Sequence, residues 1–337
     1  MYESFYHLRA KPFALNPDPK FFFGSKGHKR AMAYLEYGLS LSEGFIVITG
    51  EIGAGKTMLV RNLFKKLEHE NVVAAQLVST QLEADDMLRA VSAAFGLEQE
   101  GLNKATLLKK LESYLLSIVK QGKRPLLVVD EAQNLAPRAV EELRMLSNFQ
   151  HAERPLLQSF LLGQPEFRIT LQSEDMQQLK QRVIASYHLG AMDTSETCAY
   201  IQHRLEMVGW KNDPNISDDA YQRIHEYTGG IPRKINTLCD RLLLLGFLSE
   251  KHNFSAAEVQ EVIDDLGQEV AYSTAPHDVK PRTANQTTAV AEVEVALLGL
   301  EEKVEGMERS MNRMLAMMRK LLHAVGESQA KPGKNHA

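Results

Sequence analysis

The sequence predicts an α/β protein: a parallel sheet with flanking helices, then a small helical module and a C-terminal coiled coil. Three observations carry this. Phe45-Ile46-Val47-Ile48-Thr49 reads as a buried strand that runs through a glycine-rich turn into a helix opening at Lys56. Short β-branched runs then alternate with helical patterns as far as residue 190, as in strands joined by crossover helices. From Asp193 the signals turn all-helical to about residue 266.

Residues 1–44 form an aromatic lead-in. Pro12, Pro17 and Pro19 with Asn16 and Asp18 keep its first part extended. A helix is predicted from about Lys29 to Leu41, with Ala31, Tyr34, Leu35, Tyr37 and Leu39 on its apolar face. Phe21, Phe22 and Phe23 either pack this segment on the core or lie beside a bound base. In the sheet region, 45–192, strands are predicted at Phe45–Thr49, Val72–Val78, Leu126–Val129, Leu156–Leu162 and Val183–Leu189. Helices are predicted near Asp85–Phe95, Lys104–Lys120 and Arg138–Asn148. Leu126–Val129 has no polar residue, as expected of a strand covered on both faces. The helical module, 193–266, should hold helices near Glu196–Met207, Asp218–Tyr227 and Arg233–Leu248. A fourth is capped by Ser255, with Glu258 completing a capping box.

Residues 267–288 lack periodicity and read as a disordered linker. Beyond it, Val290, Leu297, Val304, Met311, Met318 and Val325 alternate with Val293, Leu300, Met307, Met314 and Leu321 at 3-4 spacing. That predicts a coiled coil over 289–325, with a single amphipathic helix as the competing reading. Residues 326–337 read as a disordered tail.

The chain has 337 residues, 44% hydrophobic and 24% charged, with a formal net charge of −4, the composition of an ordinary globular protein. Such a balance gives no electrostatic footprint for nucleic acid. Cys198 and Cys239 have no metal-like spacing, so inert thiols in a reducing compartment are expected. No apolar run approaches the ~20 residues that span a bilayer, and Met1-Tyr2-Glu3-Ser4-Phe5 lacks the features of a signal peptide. The expected location is the cytoplasm, with membrane contact made only through a partner.

Gly50-Glu51-Ile52-Gly53-Ala54-Gly55-Lys56-Thr57, followed by Met58, fits G-x-x-x-x-G-K-[ST]. Backbone N–H groups of such a loop wrap nucleotide phosphates, the lysine reaches the β- and γ-phosphates and the Thr57 hydroxyl binds Mg²⁺. The helix N-terminus behind it favours the anion further. Asp130 and Glu131 leave the end of the apolar strand, where Asp130 would help hold Mg²⁺ and Glu131 would polarise an attacking water. Charge at the γ-phosphate asks for more polar groups at strand ends. Gln164 is placed to orient water or phosphate, Arg182 to act on a neighbouring subunit's nucleotide, and Arg233 to close over the site from the helical module. Read by spacing alone, each of these three is equally a solvated surface residue.

These motifs resemble those of AAA+ ATPases of the general secretion pathway protein A type, and most closely its PEP-CTERM/exosortase-locus secretion ATPase subfamily. The resemblance rests on Phe5 through Lys11-Pro12-Phe13, Asn16 through Phe23, His28-Lys29-Arg30-Ala31 and Gly44 through Thr57. Asp130 through Leu135, Glu141 through Asn148, Gly163 through Phe167, Gln181-Arg182-Val183 and Gly229 through Asn236 complete it, over about residues 1–266. It implies a P-loop NTPase fold of the AAA+ kind with a helical lid, ATP and Mg²⁺ as ligands, and a homo-oligomer. Gly50–Thr57 resembles Walker A, Asp130 and Glu131 Walker B, and Gln164 falls at sensor 1, where many members carry Asn. Arg233 resembles the sensor 2 arginine and Arg182 the arginine finger given in trans. The segment around His28 would sit near the adenine. Longer members add a transmembrane helix and a peptidoglycan-binding region, neither of which is read in this sequence. The implied work is export or assembly of envelope material, such as exopolysaccharide or sorted surface protein, by interaction with other export proteins. Two other functions fit the same motifs: a DNA-associated ATPase such as a transposition helper, which calls for a basic face, and a non-catalytic ATP-binding switch that presents the coiled coil.

Overall fold

A computed structural model describes residues 1–78 and 84–274. The sequence alternation becomes a five-stranded parallel sheet of β1 (Phe45–Gly50), β2 (Val72–Val78), β3 (Arg124–Asp130), β4 (Gln158–Gly163) and β5 (Val183–Leu189). The strands lie in the order β2-β3-β4-β1-β5. β1 is central and pairs with β4 from Phe45↔Ser159 to Thr49↔Gly163, and on its other side with β5. β3 pairs with β4 from Leu126↔Gln158 to Val129↔Leu161.

Both faces of the sheet are covered. α1 (Lys26–Leu41) and α2 (Lys56–Leu67) pack on Ile46, Ile48, Leu126, Val128, Phe160 and Leu162. α3 (Ala84–Ala94), α4 (Lys104–Lys120) and α5 (Pro137–Leu146) cover Phe45, Val47, Leu127, Val129 and Leu161, the alternate positions of the same strands. This explains the unbroken apolar runs: each side chain of Phe45–Ile48 and Leu126–Val129 buries on one face or the other. Each fully buried Leu, Ile or Phe contributes about 1.5–3 kcal/mol of transfer free energy.

α1 starts three residues earlier than the periodicity suggested, because Ser25 caps it and its Oγ accepts from the His28 N–H at 3.2 Å. Tyr34 and Tyr37 are exposed rather than part of its buried face, and Tyr34 stacks on Tyr187 with ring centroids 5.3 Å apart. The phenol needs a route to water, and the sheet edge provides one.

The helical lid comprises α6 (Thr194–Glu206), α7 (Asp218–Thr228), α8 (Pro232–Leu248) and α9 (Ala256–Thr274). Asp193 and Glu196 form a capping box that starts α6 and that the periodicity did not reveal. The lead-in belongs to the core of this lid, where Tyr2, Tyr6 and Phe13 bury beside Ile201, Leu205, Leu238, Leu242 and Phe254. Arg204 fixes it there. Its Nε donates to the Pro12 carbonyl at 2.6 Å, its Nη2 to the Ala14 carbonyl at 3.3 Å, and its guanidinium lies over the Phe21 ring. Cys239 is buried in the same core, where burial pushes its thiol pKa up and keeps it protonated.

α9 continues through 267–274, which the sequence assigned to a linker. Gly267 weakens the helix by about 1 kcal/mol relative to alanine, but no proline follows it and Gln268 and Glu269 are good helix formers, so the helix passes through the glycine. The rest of the expected linker, the coiled coil at 289–325 and the tail at 326–337 lie outside the described residues. Among the described residues no helix is long and apolar enough to cross a membrane.

The α9 cap gives a pH test. Glu258 accepts from the Ser255 N–H at 2.9 Å and the Ser255 hydroxyl at 2.7 Å, which with Lys251 holds its pKa down from 4.5 to about 2. A depressed carboxylate contributes stability fully above its unfolded pKa and loses it as pH falls through the folded one. The urea midpoint of the wild type should therefore exceed that of Glu258→Ala at pH 7, with the gap narrowing below about pH 4.5 and closing near pH 2. A gap independent of pH would contradict an ionic cap.

Candidate functional site

Because β1, β4 and β3 are neighbours and pair in parallel, their C-terminal ends lie side by side at one end of the sheet, where ligands of such folds bind. The glycine-rich loop leaves β1, Gln164 follows β4, and Asp130 with Glu131 ends β3. A cavity of about 340 Å³ runs from the loop to the lead-in and the lid. Its lining includes Gly53, Gly55, Lys56, Thr57, Glu131 and Arg233, together with Phe21, Phe22, Met192, Tyr200, Arg204 and Asn236.

The loop cannot carry side chains at its tightest points. Gly55 has φ of +100°, and a Cβ there would stand 2.7 Å from His28 Nε2. Gly53 has φ of +82°, and its Cβ would run into that of Arg233. The Arg233 N–H, at the start of α8, donates to the Gly53 carbonyl at 3.2 Å, so the lid meets the loop through backbone. Ile52 is exposed on the loop's crest and Ala54 is buried beneath it.

Lys56 is buried and folds back, with Nζ donating to the carbonyls of Gly50 at 2.6 Å and Glu51 at 3.0 Å. Burial pushes its pKa down, opposed by the negative charges of Glu131, Asp130, Glu51 and Glu166. An ammonium has three donors, so one remains for an anion that would also favour its charged form. Thr57 Oγ1 donates to Asp130 Oδ2 at 3.1 Å. Burial raises the Asp130 pKa, while this bond and the Glu131 N–H oppose the rise. The hydroxyl and carboxylate are hard oxygen donors side by side, which suits Mg²⁺ completed by phosphate oxygens and water. Among the described residues no group of three or more His, Cys, Asp or Glu could hold a metal ion by itself.

Glu131 adopts a left-handed backbone with φ of 54° and ψ of 41°, costing about 1–2 kcal/mol for an L-residue. The Asp130 carboxylate holds the turn by accepting the Glu131 N–H at 3.0 Å. Glu131 Oε2 accepts from Gln133 Nε2 at 2.6 Å and Gln164 Nε2 at 3.3 Å, and Gln133 Oε1 accepts the Gln164 N–H at 3.0 Å. Sequence reading missed Gln133, whose only signal was its place two residues after Glu131. His28 lies against Gly55 of the loop and also lines the cavity.

Arg233 is exposed, and its guanidinium has no hydrogen-bond partner among the described residues. Arg182 is not brought to this site. It precedes β5, at the N-terminal end of the strand, where it donates to Ser147 Oγ at 2.6 Å and to Asn148 Oδ1.

Gly55→Ala should lower affinity for a fluorescent ATP analogue at least about tenfold, since a left-handed backbone and the His28 contact both oppose the methyl group. Far-UV circular dichroism should not change. Unaltered affinity would show that the loop tolerates a side chain there.

Residues 40–171 match the family described as AAA domain. General secretion pathway protein A of Aeromonas hydrophila is 37% identical over 262 residues, which are 77% of this chain and 47% of that protein. The chain thus spans about half the length of the curated relative it matches. Among solved structures, Cdc6p of Pyrobaculum aerophilum superposes with a TM-score of 0.58 at 14% identity, covering 75% of this chain and 70% of that one. The ORC2 protein of Aeropyrum pernix, solved as ADPNP–ADP complexes, gives 0.56 at 15% identity over 76% of this chain and 71% of that one. Sheet order, phosphate loop and these likenesses together give the chain the P-loop NTPase fold of the AAA+ kind.

Proposed function

We propose that this protein is an Mg²⁺-dependent ATP hydrolase of the general secretion pathway protein A type. The observation that carries this reading is the convergence of Lys56, the Thr57–Asp130 pair and the Glu131–Gln164 pair at one end of the sheet, under a lid helix bonded to the loop. Loop N–H groups from Glu51 to Thr57 and the Lys56 ammonium bind the β- and γ-phosphates. Thr57 and Asp130 would hold Mg²⁺, which when bound supplies charge neutralisation between those phosphates. Glu131 accepts a proton from the attacking water, and Gln164, bonded to the same carboxylate, orients that water. The unpartnered Arg233 guanidinium follows the charge on the γ-phosphate from the lid.

Arg182 stands at the opposite strand ends from the phosphate loop, so its role as a finger requires another copy of the chain. A homo-oligomer follows from that role, and the heptads of 289–325 would support it. The likeness to general secretion pathway protein A supports work at the cell envelope. On the sequence resemblance, that work is export or assembly of exopolysaccharide or PEP-CTERM surface protein, powered from the cytoplasmic side through a membrane partner. A net charge of −4 gives no support to the DNA-associated alternative.

Phosphate release should be Mg²⁺-dependent and absent in Lys56→Ala. Glu131→Gln should turn over at least about 100-fold more slowly while binding ATP within about threefold of wild type, because the proton acceptor acts only in the chemical step. Wild-type turnover in Glu131→Gln would remove that residue from the mechanism, and unchanged ATP affinity in Lys56→Ala would overturn the phosphate-loop reading.

Oligomer coupling has its own test. Activity per subunit should rise with protein concentration, and Arg182→Ala should lose it while still binding ATP. A fully active, stable monomer would contradict the trans arginine.

A further inference from the structure

Away from the phosphate loop, the cavity carries a polar relay that phosphoryl transfer does not use. Asn236 lies three residues after Arg233 on α8, so the two share a helix face about 4.5 Å apart along the axis. Arg233 abuts Gly53 of the loop, whereas Asn236 is bonded to Tyr200, and both Asn236 and Tyr200 line the cavity that the phosphate loop opens into. Asn236 is 7% exposed.

The orientation of its amide follows from donor counting. Arg204 Nη1 donates to the Tyr200 hydroxyl oxygen at 2.9 Å, and a guanidinium can only donate. The Tyr200 proton therefore goes elsewhere, and it goes to Asn236 Oδ1 at 2.8 Å. Burial raises the Tyr200 pKa, so the phenol keeps that proton at neutral pH. The Asn236 Nδ2 amino group is left without a hydrogen-bond partner among the described residues, at the cavity wall. Arg204 is itself fixed by the carbonyls of Pro12 and Ala14 and by the Phe21 ring, so the relay is rigid. Phe21, Phe22 and Met192 give the cavity apolar walls against which a flat base can lie.

We propose that Asn236 is the base-reading residue of the site, its amide donating to an acceptor nitrogen on the purine ring. This rests on the nucleotide binding in this cavity. A fixed donor suits adenine N1, N3 or N7, and it excludes guanine only at N1, because guanine N3 and N7 are acceptors too and only its N1 carries a proton. Tyr200 and Arg204 are positioning residues that act through Asn236.

The test uses calorimetric binding of ATP, its 1-deaza, 3-deaza and 7-deaza analogues, 2′-deoxy-ATP and inorganic tripolyphosphate to the full chain. One deaza analogue should bind wild type about tenfold more weakly than ATP, the effect of one lost buried hydrogen bond. Asn236→Leu should bind ATP about tenfold more weakly, stop distinguishing that analogue, and bind tripolyphosphate as wild type does. Tyr200→Phe, which keeps the packing, should show the same pattern at about threefold, and it decides the question if Asn236→Leu does not fold. Equal binding of all deaza analogues by wild type would overturn the proposal. So would a deaza penalty that persists undiminished in the variants, or a penalty confined to 2′-deoxy-ATP. Failure of the site reading is separate: neither ATP nor tripolyphosphate would bind wild type.

Discussion

The hydrogen bond from the Arg233 N–H to the Gly53 carbonyl joins the two halves of this molecule at the point where phosphate is expected. Loop N–H groups must face inward to wrap an anion, which turns the loop's carbonyls toward the protein, where they need donors. Lys56 supplies one for Gly50 and Glu51, and the first turn of α8 supplies the one for Gly53. Gly53 meets Arg233 without room for a side chain, so a movement of the lid is felt by the loop with no linker in between. A glycine at that position is thus a requirement of the contact as well as of the backbone angle.

The sheet order does for the chemistry what this bond does for the lid. With β4 inserted between β1 and β3, a residue following β4 must lie between the loop and the β3 carboxylates, and Gln164 does. The buried charges there oppose one another: burial lowers the Lys56 pKa and raises that of Asp130, and each favours the charged form of the other. An anion beside Lys56 would relieve the one desolvation cost, and a cation beside Asp130 the other.

Local pattern carried most of the fold. Leu126–Val129 reads as a doubly covered strand because burial on both faces leaves no polar position, and Ser255 with Glu258 reads as a cap because its partners are three residues apart. What could not be read lies in contacts between distant segments. Arg204 looked like an ordinary helix arginine, yet its partners are Pro12 and Ala14, some 190 residues earlier. Gln133 joins Glu131 to Gln164 only because the chain turns tightly after β3. Tyr34 and Tyr37 fit the helical stripe but point away from the core, since periodicity fixes a face only to within about one residue's rotation. In the candidate site, the strand-end placement of the glycine-rich loop and of Asp130 with Glu131 was legible from spacing, whereas the Asn236 relay depends on contacts between separate elements.

The central claim is that one nucleotide spans the phosphate loop and the lid. Amide hydrogen exchange with and without Mg²⁺ and ATP tests it most directly, followed at residues 50–57 and 231–236. The account predicts that added nucleotide slows exchange in both segments together, and that Lys56→Ala abolishes the effect in both. Protection of the loop alone, with α8 exchanging as before, would contradict a site shared between sheet and lid.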